Sequence, residues 1–302
     1  MKFSIVTPVY NMERWIAETI ESVLNQQGDF SVEYIVVNDS SDDATGKIVD
    51  GYVKKITERT YPIRCTEITM RHIKRMRRGM YSAINDGLAS SSGDILAWIN
   101  ADDIYQPDAF KNMQKAFTVF PHIQWLKGIT GTINEYSEKI RPGVCNIYNR
   151  DFLKDGIYGR EAYFVEQDSI FWRKSLWEKV GPIPDSLSYA GDYWLWMQFA
   201  RFADLVSMKT PLSYFRKREG QKSKDISAYK QEQRAIRPRR SARAWASRFF
   251  FSARSRITKL IPGLEPLFKL LYPIFFWRVP PQCYLTMKNG DLVMRKTRSY
   301  TV

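Results

Sequence analysis

The sequence predicts an α/β protein with a mostly parallel sheet flanked by helices. Short apolar runs alternate with longer segments of helical periodicity through the first half of the 302 residues, and several apolar runs end in polar residues. The chain has 14% aromatic and 26% charged residues, which is typical of a globular protein able to bury a sizeable core. We therefore expect a large α/β domain and a smaller appendage.

Hydrophobic periodicity gives the order of the elements. Strands are predicted at 3–9, 32–38, 63–69 and 94–100. Helices are predicted at 12–24, 43–58, 79–89, 106–119 and 191–203. Asn11 is placed as the N-cap of the first helix.

Three predicted strands end in polar sequences, at 7–11, 38–43 and 100–103. Ligands of open α/β sheets bind outside the carboxyl ends of the strands, so these residues are expected at one rim. Asp102 and Asp103 are hard oxygen ligands of the kind that Mg2+ or Mn2+ prefers. The alternative for this pair is an Asx turn or a helix N-cap.

Four stretches resemble a known family: residues 6–11, 35–42, 79–87 and 93–103. In order and spacing they are similar to family 2 glycosyltransferases of the GT-A fold, of the bacterial cell-surface polysaccharide type. The resemblance extends from about residue 3 to 223. It implies a Rossmann-like mixed, mostly parallel sheet, and transfer of a sugar from a nucleotide-diphosphate sugar, with UDP favoured, to a hydroxyl of a glycan or lipid-linked acceptor.

The resemblance also implies a donor site at the strand ends. The residues assigned to the donor nucleotide are Thr7, Pro8, Tyr10, Asp39, Asn85, Asp102 and Arg218. Asp39 is expected to accept the imide N–H of the base, with a turn-capping aspartate as the alternative. Asp103, in the motif resembling Asp-x-Asp, is expected to hold Mn2+ or Mg2+ against the diphosphate.

The acceptor side follows from residues 188–196, which resemble the family's helix start that carries the catalytic base. Asp192 is therefore expected to deprotonate the acceptor hydroxyl, in a single displacement that inverts the anomeric carbon. An N-cap role for Asp192 is compatible with this one. Gln167, Asp168 and Trp194 are predicted acceptor contacts; alternatively, 170–172 form a core strand whose polar neighbours face water.

Two positions depart from the family pattern. Relatives often carry a His that helps to bind the metal or diphosphate where this chain has Arg218. A guanidinium cannot ligate a cation but can bind phosphate oxygens. Many relatives have an Asp where this chain has Arg77, within the basic run 74–78. That run is expected to bind donor phosphates or an acidic sugar, or to be an exposed loop.

The positive charge lies in the last part of the chain. Residues 216–302 contain 21 Lys and Arg against 5 Asp and Glu, whereas the rest is nearly neutral. We predict a GT-A domain at 1–225 and a basic, helical C-terminal region at 226–302. Arginines interleaved with aromatic residues favour an amphipathic anchor at 236–282 on anionic lipid. The alternatives are a helical pair packed on the catalytic domain or on another subunit, and a solvated tail.

The remaining signals concern location and rival functions. The three cysteines form no C-x-x-C pair and no signal sequence precedes residue 3, so a cytoplasmic enzyme, peripheral at the inner face of the cell membrane, is expected. A nucleic-acid-binding protein would use the basic tail, but we predict no nucleic-acid partner because the body lacks such a module. A sugar nucleotidyltransferase would need a glycine-rich phosphate loop after the first strand, where residues 8–11 stand instead.

Overall fold

The computed structural model describes residues 1–159, 162–238 and 242–302. The strands are β1 (Lys2–Val9), β2 (Gly28–Asn38), β3 (Cys65–Lys74), β4 (Ile95–Trp98), β5 (Ile104–Tyr105), β6 (Trp125–Ile133), β7 (Lys139–Arg141), β8 (Ile170–Arg173), β9 (Leu205–Arg216), β10 (Gln282–Lys288) and β11 (Asp291–Thr297). The helices are α1 (Ile16–Leu24), α2 (Thr45–Thr57), α3 (Met80–Ala89), α4 (Ala109–Val119), α5 (Arg150–Lys154), α6 (Lys174–Val180), α7 (Gly191–Phe199), α8 (Ile226–Ile236), α9 (Ala242–Leu260) and α10 (Glu265–Phe275).

The strands form one mixed sheet in the order β11-β10-β9-β6-β8-β4-β1-β2-β3, with β5 paired to β9 and β7 to β6. β1 runs parallel to both β2 and β4, and its register pairs Val9 with Asn38 and Val6 with Trp98. The polar sequences that follow these three strands therefore meet at one edge. The predicted α/β fold is confirmed, although β8 lies antiparallel between β4 and β6, so the sheet is more mixed than expected.

The first helix begins later than predicted. α1 starts at Ile16 with Trp15 as its N-cap, whereas Asn11 has a positive φ of 50°. The Asn11 side-chain amide donates to the Asp42 carboxylate at 2.6 Å, and its carbonyl accepts from the Asp42 N–H at 3.0 Å. The N-cap prediction for Asn11 was therefore wrong, because this residue joins the loop after β1 to the loop after β2.

A cluster of tryptophans fixes α7 against the sheet. Trp196 of α7 stacks on Trp98 of β4 with ring centroids 5.5 Å apart and lies 5.7 Å from Trp125 of β6. Trp172 of β8 completes the cluster at 6.0 Å from Trp196. Aromatic pairs of this kind contribute about 0.5–1.5 kcal/mol beyond their burial. The first turn of α7, which carries Asp192, is thereby held in a fixed position relative to the strands.

A helical region was predicted after residue 225, but this part of the chain also contains two strands and is attached to the sheet. β10 pairs in parallel with β9 and forms a hairpin with β11. Phe250 of α9 contacts Tyr272 and Phe276 of the α10 segment at 5.6 and 5.5 Å, and Phe276 packs on Phe152 of α5. One face of the helical pair thus rests on the catalytic domain, and the boundary predicted at 225 stays a prediction.

Among the described residues, no helix is both long and apolar enough to cross a bilayer.

Candidate active site

The Asp39 carboxylate follows β2 and is nearly buried. It accepts hydrogen bonds from Arg75 Nε at 2.8 Å and from the backbone N–H groups of Arg78 and Gly79 at 2.9 and 2.8 Å. Burial alone would raise the pKa of Asp39, but these donors outweigh burial and hold the pKa below its ordinary value. An ionised carboxylate therefore stands at the position predicted to contact the base.

Arg75 is a site residue that the sequence analysis did not single out. Its guanidinium donates to Asp39 and to the side chains of Ser82 and Asp86 of α3, and the side chain is only 8% exposed. The basic run 74–78 was a signal for this segment, but it could not show that Arg75 turns inward while Arg77 and Arg78 stay exposed. Arg75 thus connects the end of β2 to the start of α3.

The predicted base pocket is covered in this structure. The Arg77 guanidinium lies 3.8 Å from the centroid of the Tyr10 ring, in cation–π contact. Thr7 is fully buried with its hydroxyl 3.0 Å from that of Tyr34, and Pro8 is buried as well. Of these three predicted lining residues, only Tyr10 has an accessible ring, and Arg77 occupies one of its faces.

Asp102 and Asp103 point in different directions after β4. Arg218 Nε donates to Asp102 Oδ2 at 2.6 Å, with Gln221 Nε2 at 3.4 Å from the same oxygen. Asp103 has no exposed surface; its Oδ1 accepts from the Arg216 N–H at 2.8 Å and its Oδ2 from Asn100 at 3.0 Å. Asp103 is thus enclosed by the turn and β9, whereas Asp102 pairs with the segment that follows β9.

The buried side of this turn holds a pair of carboxyl groups. Asp103 is hydrogen-bonded to Asp168, which is 3% exposed and accepts from Gln167 Nε2 at 2.6 Å. Burial and the neighbouring negative charge raise the pKa of Asp103 well above its ordinary value, and burial also raises that of Asp168. Ionisation of one carboxyl group is thus disfavoured while the other is ionised, because like charges in a buried site destabilise each other.

Arg216, at the end of β9, fixes the turn that carries Asp102 and Asp103. It is fully buried, donates from Nε to the Asp102 carbonyl at 2.6 Å, and pairs with Glu18 of α1. The sequence analysis did not assign it a role, since a single arginine at the end of a strand carries no pattern. Because a buried charge needs its partners, Arg216 makes the position of Asp102 depend on both α1 and β9.

Asp192 lies in the first turn of α7 beneath two tyrosines. The hydroxyls of Tyr81 of α3 and Tyr229 of α8 lie 3.4 and 3.3 Å from its Oδ1, which also accepts from the Tyr193 N–H at 2.7 Å. Burial raises the pKa of Asp192 to about 6, although these donors oppose the shift. The predicted base is thus a carboxylate that is ionised near neutral pH yet more basic than an ordinary aspartate.

Helix α8 covers the start of α7. The Glu232 carboxylate accepts the backbone N–H groups of Ser188, Tyr189 and Ala190, each at 2.8 Å. A carboxylate at the first turn of a helix satisfies unpaired donors and is favoured by the helix dipole. This contact places Tyr229 over Asp192, an arrangement that no local sequence pattern indicated.

A small pocket borders Asp192. Its walls include Tyr229, Trp196 and Phe164, but neither Asp39 nor Asp103. As placed, the side chains leave room for about one water molecule, so a sugar acceptor would fit only after the pocket opens. Asp39, Asp103 and Asp192 therefore do not share this pocket.

The other predicted contacts are engaged with the protein. Asn85 Nδ2 donates to the Ile183 carbonyl at 2.7 Å and its Oδ1 accepts the Ile183 N–H at 3.0 Å. Gln167 keeps a buried Oε1 without a partner among the described residues. Trp194 is partly buried against the core. Their donor and acceptor roles therefore remain predictions, and each amide atom of Asn85 already has one protein partner.

Comparison with known proteins decides the family. A sequence model of glycosyl transferase family 2 matches residues 4–179. The chain belongs to this family.

The relatives of this family 2 glycosyltransferase share part of their length with it. An uncharacterized glycosyltransferase of Rickettsia prowazekii is 25% identical over 206 residues, or 67% of this chain and 59% of the relative. The minor teichoic acid biosynthesis protein GgaB of Bacillus subtilis is 32% identical over 116 residues, or 38% of this chain and 12% of GgaB. The matches therefore span less than two thirds of either relative.

Solved structures share the fold of this family 2 glycosyltransferase. S. aureus TarS 1–349 in complex with UDP-GlcNAc has a TM-score of 0.58 and 19% identity, covering 93% of this chain and 82% of that one. The mannosyltransferase PcManGT from Pyrobaculum calidifontis, in complex with GDP-Man and Mn2+, has a TM-score of 0.51 and 17% identity. The match covers 88% of this chain and 67% of PcManGT. The likeness supports the GT-A arrangement of sheet and helices.

The Mn2+ or Mg2+ predicted for this family 2 glycosyltransferase finds an incomplete set of protein ligands. In the described parts of the chain, no group of three or more His, Cys, Asp or Glu side chains could hold a metal ion. Asp103 is enclosed, and Asp102 faces a guanidinium, which is itself a cation without a lone pair to donate. This arrangement does not fit a divalent cation, so metal binding by Asp103 stays a prediction without structural support.

Proposed function

We propose that this protein is an inverting glycosyltransferase that moves a sugar from a UDP-sugar to a hydroxyl of a glycan or lipid-linked acceptor. The observation that carries the proposal is the Asp192 carboxylate, a base with a pKa of about 6 that borders a small pocket. It interacts electrostatically with Asp168, which is bonded to Asp103 of the turn after β4. The base is therefore connected through Asp168 to the turn after β4, which carries Asp102 and Asp103.

The comparisons support the choice of substrate class. TarS is described in complex with UDP-GlcNAc, and GgaB is a protein of minor teichoic acid biosynthesis. The first description favours a UDP-sugar as the donor of this chain's reaction, and the second favours a bacterial cell-surface polymer as its product. We extend them to this chain as part of the proposal.

In the proposed reaction, Asp192 takes the proton of the acceptor hydroxyl. At the same time, the oxygen of that hydroxyl forms a bond to the anomeric carbon of the donor sugar. The bond between that carbon and the donor phosphate oxygen breaks, and its electron pair leaves with the nucleoside diphosphate. Base and leaving group act on opposite faces of the sugar, so one displacement inverts the configuration. A positioned general base contributes about 10²- to 10⁴-fold to such a step.

The donor base is proposed to lie between Tyr10 and Asp39. Arg77 covers the Tyr10 face on which a base would stack, so binding of the nucleotide requires its guanidinium to move aside. The Arg77 side chain is exposed, whereas Arg75 is buried and keeps Asp39 in place. Movement of Arg77 alone therefore uncovers the pocket without disturbing the carboxylate.

A panel of UDP-, GDP- and CMP-sugars tests this function. We expect slow release of nucleoside diphosphate from a UDP-sugar in the absence of an acceptor, and faster release when membranes containing polysaccharide precursors are added. Replacement of Asp102 by Ala should abolish both. Absence of turnover for every donor, with and without acceptors, would contradict the proposal.

We also propose that the α9–α10 pair contacts the inner face of the cell membrane. In α10, Phe268 and Tyr272 are buried against the domain, whereas Leu267, Leu270 and Ile274 are 45%, 67% and 63% exposed at helical spacing. The outward apolar face of the pair also includes Leu260, Ile261 and Trp277. It is flanked by exposed Arg256, Lys259, Lys269 and Arg278. An anionic lipid surface complements an apolar strip bordered by cations; within the predicted segment 236–282, residues 239–241 lie outside the described residues.

Vesicle flotation tests the membrane proposal with the full chain. We expect binding to vesicles containing phosphatidylglycerol and weaker binding to pure phosphatidylcholine. Replacing Leu270 and Ile274 by Glu should lower the partition coefficient by at least about tenfold, since burial of one such side chain contributes about 1.5–3 kcal/mol. The matched control is Glu at Phe202, which is 49% exposed outside this region. Equal flotation of the double variant and the control would show that the apolar face does not contribute to membrane binding.

A further inference from the structure

The Asp102 carboxylate forms an ion pair with Arg218. Arg218 Nε lies 2.6 Å from Asp102 Oδ2, and the two side chains are only 11% and 9% exposed. Charge-assisted bonds of this length are among the strong ones. The position beside the Asp102 carboxylate is therefore already occupied by a guanidinium.

Several contacts fix the Arg218 guanidinium in this place. It lies 4.7 Å from the centroid of the Trp15 ring, and its two terminal nitrogens contact the Glu219 carbonyl at 3.0 Å and Met12 Sδ at 3.4 Å. The Arg218 N–H is held by Gln221, whose side chain also approaches Asp102. Residues before α1 and after β9 thus cooperate to present Arg218 to the turn after β4.

Arg218 retains capacity for a ligand. A guanidinium has five N–H donors, and the bonds to Asp102, Glu219 and Met12 account for three within the described residues. The remaining two match the geometry of phosphate oxygens. Lys222 stands nearby, close enough to interact electrostatically with Arg77 and Asp39, and its Nζ donates to the Ser188 carbonyl at 2.6 Å.

We infer that this glycosyltransferase binds the donor diphosphate without a divalent cation, with Arg218 in the place of the metal and Lys222 assisting. The inference rests on the proposed function and concerns the same site. When the bond from the anomeric carbon to the phosphate oxygen breaks, the negative charge that develops on the diphosphate is stabilised by hydrogen bonds from the fixed guanidinium. A preorganised cation of this kind stabilises the leaving group without coordination chemistry.

Two measurements on the full chain test the inference. The first is calorimetric titration with UDP and with GDP, in EDTA and in Mg2+ or Mn2+; we expect UDP to bind equally well in each. The second is turnover of the UDP-sugar found in the donor screen, which should survive EDTA. Binding or turnover that requires the metal overturns the inference and leaves the proposed function standing. Failure of both UDP and GDP to bind under any condition overturns the proposed function together with the inference.

Variants of Arg218 test directly whether this side chain binds the diphosphate in place of a metal ion. Arg218→Ala should weaken UDP binding in EDTA by about 10- to 100-fold, the loss expected for hydrogen bonds to a charged group. Arg218→His should show the same loss in EDTA but recover affinity on addition of Mn2+, since imidazole and the freed Asp102 carboxylate are both metal ligands. Arg218→Lys, which keeps the charge, is the control and should stay independent of metal. An Arg218→Ala variant that folds, as judged by circular dichroism, and binds UDP with unchanged affinity refutes the assignment.

Discussion

Removal of the Tyr229 hydroxyl should change the pH at which the enzyme loses activity. Tyr229 Oη lies 3.3 Å from Asp192 Oδ1, and the bond favours the ionised carboxylate and so lowers its pKa. Burial is the larger effect and leaves the pKa of Asp192 at about 6. Tyr229→Phe deletes one donor and keeps the ring, so the carboxylate should become more basic.

The size of the shift follows from the hydrogen bond. Bonds to charged groups contribute about 1.5–3 kcal/mol, and a bond of 3.3 Å belongs at or below the weak end of that range. One pKa unit corresponds to about 1.4 kcal/mol, so we expect an upward shift of about one unit. A general base works only when it is deprotonated, and the pKa of Asp192 is raised in the folded protein. Activity is therefore full above the folded-state pKa and is lost as the pH falls through it.

The assay is the pH dependence of kcat/KM for sugar transfer, between about pH 4.5 and 8.5. We expect the acid limb of the native enzyme near pH 6 and that of Tyr229→Phe about one unit higher, with similar rates at high pH. Tyr52→Phe is the matched control, because it deletes a hydroxyl that donates to Glu21 at 2.8 Å, outside the site. Identical acid limbs for the Tyr229 variant and the native enzyme would refute the role given to Asp192.

Two further predictions address the chemistry and the packing. Asp192→Asn should leave UDP affinity unchanged and lower the rate of transfer by about 10²- to 10⁴-fold, whereas Asn at the exposed Asp185 should have no effect; normal turnover of the Asp192 variant excludes it as the base. A Cβ at Gly87 would lie 2.4 Å from Val6 Cγ1, so Gly87→Ala should lower the free energy of unfolding by about 1–3 kcal/mol. Gly51 has open space around it, and Gly51→Ala should raise stability by about 0.5–1 kcal/mol; urea titrations that rank the two alike contradict this packing.

Much of the predicted donor site could be identified from the sequence, because its residues follow apolar runs that are visible locally. The strand ends at Asp39 and Asp102 follow apolar runs, and parallel strands bring their carboxyl ends to one edge whatever the details of packing. The orientation of adjacent carboxylates was not predictable in this way. Asp103 turns inward because Arg216, from a strand more than a hundred residues later, donates to it from beneath the turn.

The acceptor half depended on contacts between distant segments. Asp192 could be singled out from residues 188–196, but its raised pKa comes from burial in the folded chain, and the hydroxyls of Tyr81 and Tyr229 that oppose the rise belong to two other helices. Likewise, Glu232 reaches back across more than forty residues to bond the start of α7. Periodicity identifies a helix and its apolar side, but it does not say which other element that side will cover.

The sequence by itself determined the alternation of strands and helices, the polar strand ends and the concentration of positive charge after residue 215, because each is a property of neighbouring residues. The tertiary structure alone decided which arginines are buried beside carboxylates and which stay exposed, and that the C-terminal region adds β10 and β11 to the sheet. The physical reason is that burial and ion pairing depend on groups brought together by the fold, and a charge separated by a hundred residues leaves no local pattern.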